Sequence, residues 1–196
     1  MPLSLQLRAE TAAAHRATET SVGLPGTIAG RDDYRACLIR FLRLYRPLEE
    51  RLCEFSDWPH WGIDLQDRPH AARLVDDLGR LGVRAEDLPD APAEALPALS
   101  TFAHALGALY VLEGSTLGGQ LIFRRLLAAE IEGVAEACSF FNGRGAATGP
   151  LWRSFREALD AFGAAQPSQN PDVVEGAKRT FAAVGRWVDA RLWRTA

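Results

Sequence analysis

The most restrictive feature of this sequence is an apolar run from Thr101 to Phe123, in which His104 and Glu113 are the only acidic or basic side chains. The run is close to the roughly 20 residues that a membrane-spanning helix requires. However, a glutamate in the middle of a single span would be costly in lipid, and Gln120 and four glycines lie in the same run. We therefore interpret the run as a helix buried at the centre of a soluble helical bundle.

Length and composition are typical of one globular domain. The chain has 196 residues, of which 47% are hydrophobic and 24% charged, so we expect a single domain over residues 1–196. A net charge of −3 argues against nucleic-acid and membrane-surface partners. The three cysteines are widely spaced and form no C-x-x-C motif, which excludes a disulfide scaffold and a thiolate zinc site. Since no signal peptide is visible, we expect the protein in the reducing cytoplasm.

Apolar side chains at spacings of three and four residues predict helices throughout the chain. Ser4 is a candidate cap for the first helix, and Pro150 and Pro171 are candidates for the first helical position of the last two. The glycine-containing segment 139–149 is expected to be a loop, and no segment alternates with the period of a strand. These signals predict an all-α bundle of six or seven helices, with helical segments at about 4–20, 32–48, 70–81, 100–130, 150–162 and 171–194.

The first helix carries a histidine with a carboxylate one turn away. His15 and Glu19 share a helical face, and Arg8 lies two turns earlier on the same side. A carboxylate that holds the second ring nitrogen of a histidine is a common arrangement around a metal ligand. An exposed His–Glu pair on a helix surface has the same spacing, and both interpretations stay open from these residues alone.

The buried helix carries a face that is almost without side chains. Gly114, Ser115, Gly118 and Gly119 lie on this face over two turns. Each interior glycine costs about 1 kcal/mol relative to alanine, so this backbone must serve as a surface or allow the helix to bend. One alternative is close packing against another helix, and the other is a flat ligand that lies against bare backbone with Ser115 facing it.

Together these stretches resemble the haem oxygenase family. The proximal pattern of that family, Leu-(basic)-x-x-Thr-x-x-x-His-x-x-x-Glu, is matched by residues 7–19. Its distal Gly-x-x-x-Gly-Gly-Gln pattern is matched by residues 114–120. A Leu-Trp-Arg-Ser segment at 151–154 is similar to the family's Leu-Tyr-Arg-Ser segment, and residues 175–181 are similar to its Glu-x-Ala-Lys-x-x-Phe run. The sequence of the distal helix is most similar to that of bacterial members of the family, including those associated with bacteriophytochromes.

The resemblance implies an enzyme in which haem is both substrate and cofactor. The expected fold places haem between a proximal helix and a kinked distal helix. The expected products are biliverdin, carbon monoxide and ferrous iron, with O2 as oxidant and a ferredoxin- or reductase-type electron donor. A bacteriophytochrome would be a possible recipient of the biliverdin. The residues implied are His15 as iron ligand, Gly114, Ser115, Gly118 and Gly119 around bound oxygen, and Arg8, Glu19, Tyr110, Arg153 and Phe181 around the haem.

One position departs from the family pattern. Animal-type members have an aspartate directly after the first distal glycine, where this chain has Ser115. That aspartate orders distal waters, so the resemblance implies that the water network here is organised differently. Two rival functions remain open: a haem carrier or sensor without turnover, and a thiaminase-like activity that would use Cys138.

The remaining candidates have plain structural interpretations. His104 is expected in the core or at its rim, and His60 and His70 are expected on the surface. Arg144, between two glycines, is expected in an ordinary loop. The tryptophans of the C-terminal helices are expected to be packing residues, namely Trp152, Trp187 and Trp193.

Overall fold

The computed structural model describes the backbone of residues 1–193 and the side chains of residues 1–192, and within that range it contains no β-strand. The expected all-α class is therefore confirmed. The described residues form eight α-helices where six or seven helices were expected, because two single-turn helices were not foreseen. The α-helices are α1 (Leu3–Val22), α2 (Arg31–Cys53), α3 (Ala71–Arg80), α4 (Phe102–Ala128), α5 (Ser139–Asn142), α6 (Thr148–Ala165), α7 (Asn170–Trp187) and α8 (Ala190–Trp193).

Helix α4 is the central element, as its apolar sequence predicts. Every residue from Ala103 to Leu109 is buried, and the helix continues through the glycine-rich turns without interruption. Among the described helices, none combines the length and apolar character needed to cross a bilayer. The apolar run is therefore explained by burial within the bundle.

Helix α7 packs against both α4 and α1 and so fixes where these two helices lie. At its crossing with α4 the two backbones nearly touch. A Cβ on Gly107 would overlap the carbonyl oxygen of Val173, and a Cβ on Gly176 would overlap the carbonyl oxygen of His104. Only glycine permits this approach, because even a methyl group would force the helices apart.

The start of α1 differs from the sequence prediction. The helix begins at Leu3 after Pro2, and Ser4 makes no capping bond within its own helix. Instead, the amide and hydroxyl of Ser4 donate to the two carboxylate oxygens of Asp160 in α6, at 2.8 and 3.0 Å. A carboxylate near a helix N-terminus is favourable, and here it comes from a distant helix. Pro150 and Pro171 also lie one or two residues further into their helices than expected.

The expectation of an uninterrupted loop over 139–149 is wrong, because Ser139–Asn142 forms a helical turn. The Asp77 carboxylate of α3 accepts hydrogen bonds from the amides of Ser139 and Phe140, at 2.9 and 2.8 Å, and so caps this turn from outside. The last predicted helix is also divided. It ends at Trp187, and the Asp189 carboxylate accepts from the Arg191 amide at the start of α8. Residue 194, its expected end, lies outside the described residues.

The α4–α7 crossing predicts a stability effect. We expect Gly107→Ala to lower the free energy of unfolding by about 1–3 kcal/mol, because the added methyl group overlaps the α7 backbone. Gly79→Ala in α3 is the matched control, since a Cβ there meets nothing within 4 Å. The control is expected to be neutral or slightly stabilising. Equal melting temperatures for the two variants would contradict this account.

Candidate functional site

A cavity of about 850 Å³ separates α1 from α4. This volume is within the range of about 300–1,000 Å³ typical of small-molecule sites. Residues of α1 form one wall and residues of α4 form the opposite wall, with Phe181 of α7 between them. Aromatic side chains from α2 and α5 close the inner end, including Phe41, Tyr45 and Phe140.

His15 lies on the α1 wall, as the sequence predicts for a ligand. Its Nδ1 is 3.4 Å from Oε2 of Glu19, and its side chain is 54% exposed. Its ring and that of Phe181 form a T-shaped pair with centroids 5.4 Å apart. Thr18 holds α7 at this position by donating to the Phe181 carbonyl at 2.9 Å. Because Glu19 engages Nδ1, Nε2 is the ring nitrogen left to bind a metal.

The described residues contain no group of three or more His, Cys, Asp or Glu side chains that could hold a metal ion. His15 would supply the one protein ligand that a metal already held by the nitrogens of a porphyrin requires.

The two interpretations of the glycine face, close packing and an open surface for a ligand, apply to different glycines of α4. A Cβ on Gly118 would meet nothing within 4 Å, so this position opens into the cavity. A Cβ on Gly119 would lie 2.8 Å from the carbonyl oxygen of Phe141, which makes Gly119 a close-packing position. A Cβ on Gly114 would lie 3.8 Å from the ring of Trp152, so Trp152 also contributes to the cavity wall beyond its expected role in packing.

Ser115 lines the cavity beside a buried tyrosine. Its hydroxyl donates to the Leu112 carbonyl at 2.7 Å and so remains an acceptor toward the cavity. Burial raises the pKa of Tyr45 to about 12, and a hydrogen bond between Tyr45 and Ser115 acts in the opposite direction. Tyr45 lies among apolar residues at spacings of three and four in the sequence, and nothing in that pattern indicates a polar partner.

Two arginines stand on the same side of the cavity as Tyr110. Burial raises the pKa of Tyr110, while a hydrogen bond with Thr11 and the positive charges of Arg8 and Arg156 lower it. Arg8 and Arg156 both line the cavity. The structure does not bring Arg153 there: this residue is exposed, and Arg156, three residues further along α6, takes the lining position. Side-chain direction decided between them, and the sequence carried no signal for it.

The outer part of the cavity is apolar and exposed. Leu117 and Leu121 of α4 have 40% and 53% of their surface exposed, and Leu5 of α1 has 46%. All three line the cavity. Large apolar side chains that remain exposed around a pocket are typical of surface that a ligand covers.

The expectation that His70 lies on the surface is wrong. His70 is 3% exposed and lines the inner part of the cavity. The Glu49 carboxylate of α2 accepts from its Nδ1 at 2.9 Å and from the amides of His70 and Ala71 at 2.6 and 3.1 Å. Glu49 therefore caps α3 and buries the histidine with it. His60 is exposed as expected, and His104 is buried at the start of α4 as expected.

The charged residue that interrupts the apolar run is held by two buried arginines. Glu113 is fully buried, and its Oε2 accepts from Arg68 while its Oε1 accepts from Nη2 of Arg144 at 2.7 Å. Arg144 is therefore part of a buried ion-pair cluster and not an ordinary loop residue. Positive φ angles of 64° and 54° at the flanking Gly143 and Gly145 allow the chain to turn its side chain inward.

Two other sequence candidates have structural roles. Cys138 is buried away from the residues that line the cavity, and burial raises the pKa of its thiol to about 11. A neutral buried thiol is a poor nucleophile, which disfavours the thiaminase-like alternative. Trp187 packs beneath the guanidinium of Arg40, 4.5 Å from the ring centroid, as expected for a packing residue. The side chain of Trp193 lies outside the described residues.

The two adjacent glycines of α4 are predicted to respond differently to bulk. We expect Gly118→Leu to keep the melting temperature or raise it, because leucine is the better helix former and its side chain enters open space. We expect Gly119→Leu to lose about 1–3 kcal/mol of stability, because its side chain meets the Phe141 backbone. Thermal unfolding of both variants tests this, and similar destabilisation at the two positions would refute it.

Comparisons with known proteins agree on one family. The family model described as Heme oxygenase matches residues 1–190. A heme oxygenase from Xanthomonas campestris pv. campestris (strain 8004) is 34% identical over 154 residues, covering 77% of this chain and 86% of that protein.

Two solved structures share the fold. The NO- and CO-bound heme oxygenase from Neisseria meningitidis has a TM-score of 0.74 at 21% identity, covering 96% of this chain and 90% of that chain. Heme oxygenase from Leptospira interrogans has a TM-score of 0.75 at 19% identity, covering 96% and 98%. With the family match extending over nearly the whole chain and a relative more than 30% identical, this chain belongs to the heme oxygenase family.

Proposed function

We propose that this protein is a haem oxygenase that cleaves haem to biliverdin, carbon monoxide and ferrous iron, using O2 and electrons from an external donor. The observation that carries the proposal is the cavity itself. His15, backed by Glu19, faces a wall of α4 on which Gly118 leaves open space. Family membership and the heme oxygenase from Xanthomonas campestris support the same activity.

The residues around the cavity fit a haem. Nε2 of His15 would bind the iron, and Glu19 would hold the ring in one tautomer and orientation by accepting from Nδ1. Leu117, Leu121 and Phe181 offer apolar surface to a flat macrocycle. When bound, haem supplies an iron atom at which O2 is reduced and a ring carbon that is oxidised.

The glycine wall would position the small ligand opposite His15. A side chain at Gly118 would fill space that is open in the cavity, so the bare backbone would leave room there for a small ligand such as O2. Gly114 and Ser115 extend this surface toward Tyr45 and the inner end of the cavity. A haem carrier or sensor needs the histidine but not the open glycine wall, so the cavity favours turnover over simple binding.

The arginines of the cavity would set the rotation of haem in its plane. Arg8 and Arg156 stand on one side, beside Tyr110, where they can pair with haem propionates by charge-assisted hydrogen bonds. This rotation decides which meso carbon lies under the glycine wall. Arg153 remains a candidate propionate partner from the sequence, with Arg156 the better placed of the two.

The proposed reaction requires an electron donor and releases a product that another protein can take up. A cytoplasmic ferredoxin- or reductase-type protein would supply electrons, and a bacteriophytochrome is a candidate recipient of biliverdin.

A direct test of the proposed function is to mix the purified protein with haemin, add a reductant under air and follow the Soret band. Loss of Soret absorbance with a rising bilin band supports turnover, and a stable Soret band indicates a carrier.

Removal of the proposed iron ligand should abolish turnover. We expect His15→Ala to lose the histidine–haem absorption spectrum and haem degradation, because no other histidine lies on the α1 wall. His60→Ala is the matched control, since His60 is exposed and does not line the cavity. Turnover by His15→Ala at the wild-type rate would eliminate His15 as the ligand.

The two arginines of α6 should differ in their effect on haem binding. We expect Arg156→Ala to weaken haemin affinity by about 10-fold, which corresponds to roughly 1.4 kcal/mol for a lost charge-assisted bond. Arg153→Ala should change it by much less, because Arg153 does not line the cavity. Haemin titrations of both variants measure this difference in affinity. A larger loss of affinity in Arg153→Ala would support Arg153 as the propionate partner.

A further inference from the structure

His70, which lines the cavity, has a buried ring nitrogen without a hydrogen-bond partner. The residue lines the cavity and is 3% exposed, yet its Nε2 has no partner within hydrogen-bonding distance. The nearest charged atom is Oε1 of Glu113, 3.8 Å away, which is too far for a direct hydrogen bond. A buried polar atom without a partner is rare in folded proteins and points to a water or a functional role.

Carboxylates face both ring nitrogens. Glu49 of α2 accepts from Nδ1 at 2.9 Å, and Glu113 of α4 faces Nε2. Tyr45 of α2 meets the imidazole edge-on, with ring centroids 5.9 Å apart. Behind Glu113, the positive groups are Arg68 and Arg144.

Arg73 of α3 is the remaining charged neighbour of this cluster. It donates to the Gly143 carbonyl. Burial lowers the pKa of Arg73 and the charge of Arg144 lowers it further, while the charges of Asp77 and Glu113 act in the opposite direction. Arg73 and Arg144 also line an open cleft on the protein surface. The buried cluster therefore extends from the cavity, at His70, to the wall of a surface cleft, at Arg73 and Arg144.

This arrangement allows His70 to hold or release a proton at Nε2. With Nδ1–H bonded to Glu49, the neutral ring exposes a lone pair at Nε2, and the protonated ring has a carboxylate beside each nitrogen. A water at the inner end of the cavity would give Nε2 its missing hydrogen bond, and Oε1 of Glu113 lies 3.8 Å from the same nitrogen. Histidine is also the side chain whose ordinary titration lies near physiological pH.

We propose that His70, with Glu113, supplies protons to the α4 side of the cavity. One proton leaves Nε2 for a cavity water, which passes it toward the reacting oxygen, and the neutral imidazole regains a proton from bulk solvent. Only N–H and O–H bonds form and break, and no electrons move. This inference rests on the proposed function, because that reaction consumes protons as it reduces O2.

The residue that stands at the family's aspartate position is poorly suited to the same task. The hydroxyl of Ser115 donates to the Leu112 carbonyl, so its proton is already engaged. Tyr45 holds its proton tightly, because burial raises its pKa to about 12. His70 lines the same end of the cavity and has a ring nitrogen, Nε2, that no hydrogen bond engages.

His70→Asn is the first variant to test, because the asparagine amide can replace Nδ1–H toward Glu49 while removing the nitrogen that faces Glu113. General acid–base groups typically contribute about 10²–10⁴-fold. We expect haem degradation to fall at least about 10-fold, with haemin affinity and melting temperature close to those of the wild type. The wild-type rate should fall as the pH rises and Nε2 of His70 loses its proton, whereas His70→Asn should lose this pH dependence. His60→Asn, on the exposed loop, should behave as the wild type.

A second measurement on the haem-free wild-type protein needs no variant. Long-range ¹H–¹⁵N NMR of the histidine rings should show Nδ1 of His70 protonated throughout and Nε2 gaining a proton as the pH is lowered across the range in which the protein stays folded. An Nε2 that does not change protonation in this range would overturn the proposal. So would a folded His70→Asn that degrades haem with the wild-type rate and pH profile. If the wild type itself leaves haem intact, the proposed function fails, and the NMR titration then decides the inference about Nε2 separately.

Discussion

The close crossing of α4 and α7 is the contact on which the rest of the structure depends. At Gly107 and Gly176 the two backbones approach so closely that no side chain fits between them. Helix α7 also packs against α1, so α4 and α1 are held on either side of it at a fixed separation. The cavity is the space left between them, which means that the width of the site is set by glycines outside it.

The glycines of α4 thus serve three purposes within 13 residues. Gly107 allows contact with α7, Gly119 allows contact with the α5 backbone, and Gly118 opens into the cavity. Each is a weak position for a helix, and burial of the surrounding apolar residues offsets that cost. The same helix is therefore both the core of the bundle and one wall of the site.

A cluster of buried charges connects α4, which forms one wall of the cavity, to two segments that are distant in sequence. Glu113 is fully buried between Arg68 and Arg144, which come from segments distant in sequence. Removal of one member would leave an uncompensated charge, which typically costs about 3–5 kcal/mol. This cluster holds the loop before α6 and the segment before α3 against α4, and it brings a carboxylate close to His70.

The sequence by itself determined the helical class, the central position of α4, and the residue patterns that resemble the haem oxygenase family. These features are local or periodic: an apolar run must be buried, and His15 and Glu19 are neighbours on any helix. Tertiary structure alone decided which glycine packs and which opens, that Arg156 rather than Arg153 lines the cavity, and that His70 is buried beside Glu49. Those outcomes depend on atoms contributed by other helices, and no spacing within one helix records what will pack against it.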